Sequence, residues 1–251
     1  MKKLKYFIIS IGLLIPTIGF SQLNMSVPQP ENLEFGIQGG LNISTLNNLP
    51  QGVTATSNTG FHIGAFMNFP MSRDFDMQIG FNYTQLGGTV TESESGYDSV
   101  SIGTTNALAN ISVTQSSKIT YGYLQIPVNF VHKFGEGWNV HFGAYVGFLL
   151  SDKEQIAGTE TIAVPGYGTQ IARGDTSTNT TVGDNRIDFG INLGIGYTMQ
   201  SGLGINFTYS FGLTNIVQAQ SGFDAISGQS FSSPAFGSNV VYALTLSYLL
   251  R

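Results

Sequence analysis

Residues 186–199 read "RIDFGINLGIGYTM". Ile187, Phe189, Ile191, Leu193, Ile195, Tyr197 and Met199 take every second position, with Arg186, Asp188, Gly190, Asn192, Gly194, Gly196 and Thr198 between them. Such period-2 alternation predicts a β-strand with two unlike faces. It leaves open which face meets water. Turned to a protein core, the apolar face gives a soluble β protein; turned to lipid, it gives a membrane barrel with a polar interior. The intervening residues decide. On the outside of a soluble sheet they would be rich in Lys and Glu. Here most are Gly, Asn or Thr, small and uncharged, which suits the crowded lumen of a narrow barrel.

The same alternation recurs at roughly 34–44, 60–69, 74–86, 119–134, 138–151, 203–215 and 239–250. Each segment has about 10 residues or more, enough for a tilted strand to cross a bilayer. Their second faces carry further small residues, among them Gly36, Gly40, Gly64, Gly80, Gly143 and Gly204. Gly39 and His132 are exceptions on the apolar face. Tyr121 is out of phase with Leu124 and Ile126, and a bulge near Gly122 is expected to return it to the outer face. Connectors alternate in length: 70–73, 135–137 and 200–202 are tight turns, whereas 45–59, 87–118, 152–185 and 216–238 are long, polar and read as loops. The expected fold is an all-β, eight-stranded antiparallel up-and-down transmembrane β-barrel with short periplasmic turns, long extracellular loops and a filled interior. Tyr83, Tyr121, Phe148 and Phe211 would form one aromatic girdle; Phe35, Phe69, Phe75, Phe134, Trp138 and Tyr197 would form the other.

Composition agrees. Only 10% of residues are charged, against roughly 25% in ordinary soluble domains. Glycine accounts for 32 of the 251 residues, nearly double the usual share of about 7%. The opening "MKKLKYFIISIGLLIPTIGFSQ" reads as a secretory signal peptide over 1–21. Residues 22–33 are then a short periplasmic segment and 34–251 the barrel, with both termini periplasmic. Without Lys2, Lys3 and Lys5 the chain carries seven basic and fifteen acidic residues. A nucleic-acid partner, which needs a basic face, is excluded.

Motifs for chemistry are sparse. There is no H-E-x-x-H, P-loop or G-x-S-x-G sequence. His132 and His141 fall near a turn, so only His62 could approach an extracellular rim. Charges in phase with the lumen form two sets: Glu34, Asp76, Lys133, His141 and Arg251 at the periplasmic end, and Lys118, Arg186 and Asp188 at the other. Enclosed charges must pair or be hydrated, so these residues are expected to form a polar plug that fixes strand register. Glu92, Glu94 and Asp98 fall in a long connector. "GDTSTNTTVGDN" (174–185) has oxygen ligands suitable for calcium but no defined calcium-loop spacing, and reads as a solvated loop. "DSV" (98–100) resembles a short O-glycosylation pattern.

The runs "YLQIPVNFVHKF" (123–134), "DFGINLGIGY" (188–197), "YSFGLTNI" (209–216) and "FGIQGGLNIS" (35–44) resemble the PorT-like outer-membrane β-barrel family of Bacteroidota. The chain departs from the family pattern at its end, where "SYLLR" closes on Arg251 rather than an aromatic residue. The resemblance implies an eight-stranded barrel of the OmpA type and, through the family's namesake, a link to type IX secretion. The expected function is non-enzymatic: a monomeric scaffold in outer-membrane lipid, inserted by the barrel-assembly machinery. Its extracellular loops would bind an outside partner or support envelope integrity. The alternative is an accessory part of type IX secretion or gliding, with a secretion-system partner. An enzyme with a rim site and a small pore rank below these. No metal, catalytic centre or cofactor is implied.

Overall fold

The computed structural model describes residues 33–102, 105–166, 168–178, 185–216, 220–224, 229–233 and 237–250. Eight strands close into an antiparallel barrel: β1 (Glu34–Asn47), β2 (Val53–Pro70), β3 (Phe75–Ile102), β4 (Thr105–Phe134), β5 (Trp138–Val164), β7 (Ile187–Thr198), β8 (Leu203–Gly212) and β11 (Ser238–Leu250). Each pairs with the next, and β1 pairs with β11 from Phe35↔Leu250 to Asn47↔Ser238, so the sheet has no free edge within the barrel. Strand β6 (Gly168–Thr178) folds back on β5 outside the ring, and β9 (Gln220–Asp224) pairs with β10 (Gln229–Ser233) as a separate ribbon.

Three tight turns mark one end of the barrel, here termed the turn end. Gly135 and Gly137 both have positive φ in the β4–β5 turn, a conformation that a side chain disfavours. In the β2–β3 turn, Ser72 Oγ accepts hydrogen bonds from the backbone N–H groups of Asp74 and Phe75. The opposite end carries the long connections, and these are largely not loops. β3, β4 and β5 continue as paired strands to lengths of 28, 30 and 27 residues, although about 9–11 suffice to cross a bilayer. The β3–β4 hairpin closes at Ile102↔Thr105 and β5–β6 at Val164↔Gly168. This end is termed the hairpin end. Thr, Val, Ile and Tyr are strand formers whatever their polarity. A strand beyond the lipid needs no apolar outer face, so its polarity reads as a loop although its backbone stays paired.

The outer face of the barrel is apolar and exposed: Ile37, Leu41, Phe81, Phe142, Leu193 and Leu244 all stand at half exposure or near it. Trp138 and Tyr197 meet edge-on at 5.3 Å at the turn end. His132, out of character on this face, stacks between Phe75 (4.5 Å) and Phe134 (6.0 Å) in the same girdle.

The register explains the glycines of the inner face. Tyr145 is paired with Gly190, His141 with Gly194 and Phe66 with Gly36. A Cβ at any of these glycines would collide with the ring opposite. These three large inward side chains each lie across a glycine of the adjacent strand, the arrangement that fills a narrow barrel at close packing.

One expectation of phase is overturned. A bulge does occur at this level, but the extra residue is Leu150 of β5, because Gly122 pairs with Ser151 and Tyr123 with Leu149. Strand β4 itself runs straight. Tyr121 and Tyr123 therefore both point inward, at 2% and 0% exposure, and Tyr121 is no part of a girdle. They pack with Leu46, Leu86, Leu149, Ile216 and Val241 in an apolar layer across the lumen.

Candidate functional site

The apolar layer divides the lumen. On its turn-end side lies a cavity of about 500 Å³, roofed by Leu86 and Val241 and reaching Arg73, Gly135 and Gly137 of the turns. The interior is therefore not filled throughout, and its closure is a layer of Leu, Tyr, Ile and Val rather than a plug of charges. Burying apolar groups there avoids the desolvation cost that enclosed charges would bring.

Of the expected lumen charges, the structure pairs two. Lys133 Nζ lies 2.8 Å from Asp76 Oδ1, with the carboxylate buried and the lysine partly exposed at the turn end. Glu34 is exposed at the same end and accepts a hydrogen bond from Asn68 Nδ2 at 3.3 Å. His141 is buried, its Nε2 hydrogen-bonded to Thr208 Oγ1 at 3.0 Å. Asp188 is 1% exposed beside the apolar layer; its Oδ2 accepts from Tyr145 Oη (3.1 Å) and Asn239 Nδ2 (2.9 Å).

Others fall elsewhere. Arg186 is exposed just before β7. Lys118 is not a lumen residue: Ile119 packs inward against the apolar layer, so the adjacent Lys118, opposite Thr89, lies on the outer face. The straight course of β4 is the cause. Arg251 lies outside the described residues. His62 does not approach the rim, because β2 begins at Val53 and carries it down the lumen. It is buried there, with Nε2 hydrogen-bonded to Thr245 Oγ1 at 2.9 Å. Glu92, Glu94 and Asp98 lie on β3 rather than in a loop, as does the 98–100 triplet. Of 174–185, residues 179–184 lie outside the described residues. Among the described residues, no three His, Asp or Glu gather as a metal site.

What the sequence concealed is a polar network on the cavity wall. Gln38 Nε2 donates to Asn82 Oδ1 (2.8 Å), Asn192 Nδ2 to Asn129 Oδ1 (3.3 Å), and Ser210 Oγ to Asn192 Oδ1 (2.8 Å). These residues stand 18 to 63 positions apart. Their sequence signal is a pair of amides four residues apart on the inward face of three strands: Gln38 and Asn42, Gln78 and Asn82, and Gln125 and Asn129.

The family model described as "Outer membrane protein beta-barrel domain" matches residues 20–218. The chain belongs to that family. The membership agrees with the closed ring and its apolar outer face. No curated protein matches this outer-membrane β-barrel by sequence. Among solved structures it is similar to Ail, the attachment invasion locus protein of Yersinia pestis, in complex with the heparin analogue sucrose octasulfate. The identity is 12%, over 87% of this chain and 99% of that one, with a TM-score of 0.36. It is similar also to Neisserial surface protein A (10%, 85% and 96%, TM-score 0.37) and to the outer membrane protease OmpT from Escherichia coli (10%, 88% and 98%, TM-score 0.30).

Proposed function

We propose that this outer-membrane barrel is a non-enzymatic, monomeric binding scaffold of the PorT-like group, with its hairpins outside the cell and its turns and termini in the periplasm. The observation that carries this reading is the continuation of β3, β4 and β5 past the apolar layer. Residues 87–102 alone extend up to roughly 50 Å along the strand at about 3.3 Å per residue. No lipid-spanning role needs that length, and it presents paired strands with exposed side chains such as Tyr97, at 73% exposure. The apolar layer favours a scaffold over a pore. The burial of His62 and His141 on its turn-end side, with His132 in the girdle, supports the non-enzymatic reading over a rim enzyme.

The chain has no cysteine, so orientation can be tested with one introduced thiol. Tyr97→Cys should react with a membrane-impermeant maleimide on intact cells; reaction only after lysis would reverse the orientation. Binding is tested by replacing residues 91–116 with a two-residue turn. Crosslinks formed on whole cells by the parent protein should vanish while the shortened barrel still shifts on heating in SDS gels. Unchanged crosslinks would refute a binding role for the hairpin. The second reading, an accessory of type IX secretion, draws on the 123–134 resemblance and predicts loss of exported proteins from the medium on deletion.

A further inference from the structure

The cavity lies on the far side of the apolar layer from the hairpins and is independent of the binding role proposed for them. At about 500 Å³ it is within the range of about 300–1,000 Å³ typical of small-molecule sites. Its lining has a definite chemistry. Ten carboxamide side chains face it, including Gln38, Asn42, Asn82, Asn129 and Asn192. Each amide offers both donors and acceptors. Thr208, Ser210 and Thr245 add hydroxyls.

Charge is confined to the mouth, where Glu34, Arg73, Asp74, Asp76 and Lys133 lie. Beyond the Asp76–Lys133 pair the lining has no carboxylate, lysine or arginine; its titratable groups there are the imidazoles of His62 and His141 and the phenol of Tyr145. A charged solute would find no counter-charge at that depth. Phe66 and Tyr145, held across Gly36 and Gly190, contribute rings to the wall.

One side chain is incomplete. Asn42 is 1% exposed and lines the cavity, yet neither its Nδ2 nor its Oδ1 has a hydrogen-bond partner in the protein. Buried amides are normally satisfied. Elsewhere on the wall Gln38, Asn82, Asn129 and Asn192 are joined to one another or to Ser210.

We propose that the cavity is a binding site for a neutral polyhydroxylated molecule of mono- to disaccharide size, entering from the turn end and completing the hydrogen bonds of Asn42. A sugar hydroxyl donates and accepts at once, as a carboxamide does. The apolar face of a sugar ring matches the aromatic wall. The ligand is neutral because the inner wall has no carboxylate, lysine or arginine to pair with a charged group, and each of its imidazoles is already hydrogen-bonded to a threonine hydroxyl.

The test uses the mature full-length chain, folded in an amine-oxide detergent that has no sugar headgroup. Glucose, N-acetylglucosamine and maltose are titrated by calorimetry and observed by saturation-transfer NMR, with glucose 6-phosphate and glutamate as charged comparators. At least one neutral sugar should bind saturably at one site per chain, and the charged comparators about tenfold more weakly or not at all. Asn42→Leu should weaken sugar binding about tenfold, a step of about 1.4 kcal/mol, and Gln125→Trp should abolish it by filling the space. The heat-dependent gel shift verifies that both variants are folded. Absence of saturable binding by all three sugars would leave a cavity that holds water only and overturn the proposal. So would tighter binding of a charged comparator, or affinity unaltered in both folded variants.

Discussion

Strand β3 crosses two surroundings without changing its register against β4. Over its first part the outward residues are Phe75, Met77, Ile79, Phe81 and Tyr83; beyond the apolar layer they are Thr89, Thr91, Ser93, Ser95, Tyr97 and Ser99. The alternation of faces is the same throughout, and so is the pairing with β4. Only the outward residue type changes, from large and apolar to hydroxylated and, apart from Tyr97, small. Period reports the strand, and the chemistry of one face reports the medium. The hydroxyl face is held by cross-strand pairs, Thr91 with Ser116 at 3.1 Å and Ser93 with Thr114 at 3.2 Å.

The contrast is broken most strongly by charge. Leu193, 62% exposed on the outer face of β7, should meet lipid; Leu193→Arg is expected to destabilise the barrel by about 2–4 kcal/mol. Ser95→Arg, on the outward face of the extension, should stay within about 0.5 kcal/mol of the parent. Urea titration of the protein folded in vesicles measures both, and equal costs would erase the lipid boundary. Next is packing. A Cβ at Gly190 would strike the Tyr145 ring and the Phe211 carbonyl oxygen, whereas one at Gly96 meets nothing within 4 Å. Gly190→Ala should cost about 1–3 kcal/mol, while Gly96→Ala is neutral or stabilising by up to about 1 kcal/mol. The same titrations separate them. The smallest effect is the coupling across the hydroxyl face: a double-mutant cycle on Ser93→Ala and Thr114→Ala should return about 0.2–1 kcal/mol.

Much of the barrel was legible because lipid and lumen impose opposite demands on neighbouring residues. The eight crossings, the three tight turns and the inward phase of Asp76, His141 and Asp188 follow from alternation alone. The extensions were hidden because Ser- and Thr-rich composition is shared by loops and by solvated strands. Tyr121 and Lys118 were misplaced together, since a bulge shifts the face of every residue beyond it, and the sequence does not show which of two paired strands holds the extra residue. The cavity was hidden for another reason. Its wall joins residues from most of the strands, and its volume depends on register, which no single strand records. His62 lies deeper than the alternation suggests because β2 begins at Val53, seven residues before the apolar alternation does.

The pairing of Tyr145 with Gly190, and of His141 with Gly194, has a consequence for how such a chain can drift. Neither partner can change size alone: a larger residue at Gly190 finds the ring already there, and a smaller one at Tyr145 leaves a gap over bare backbone. The two positions, 45 residues apart in the chain but directly opposite in register, must exchange bulk together. Close relatives should therefore show linked swaps, small for large on one strand and large for small on the next. The geometry of the ring would be preserved while few individual lumen residues are.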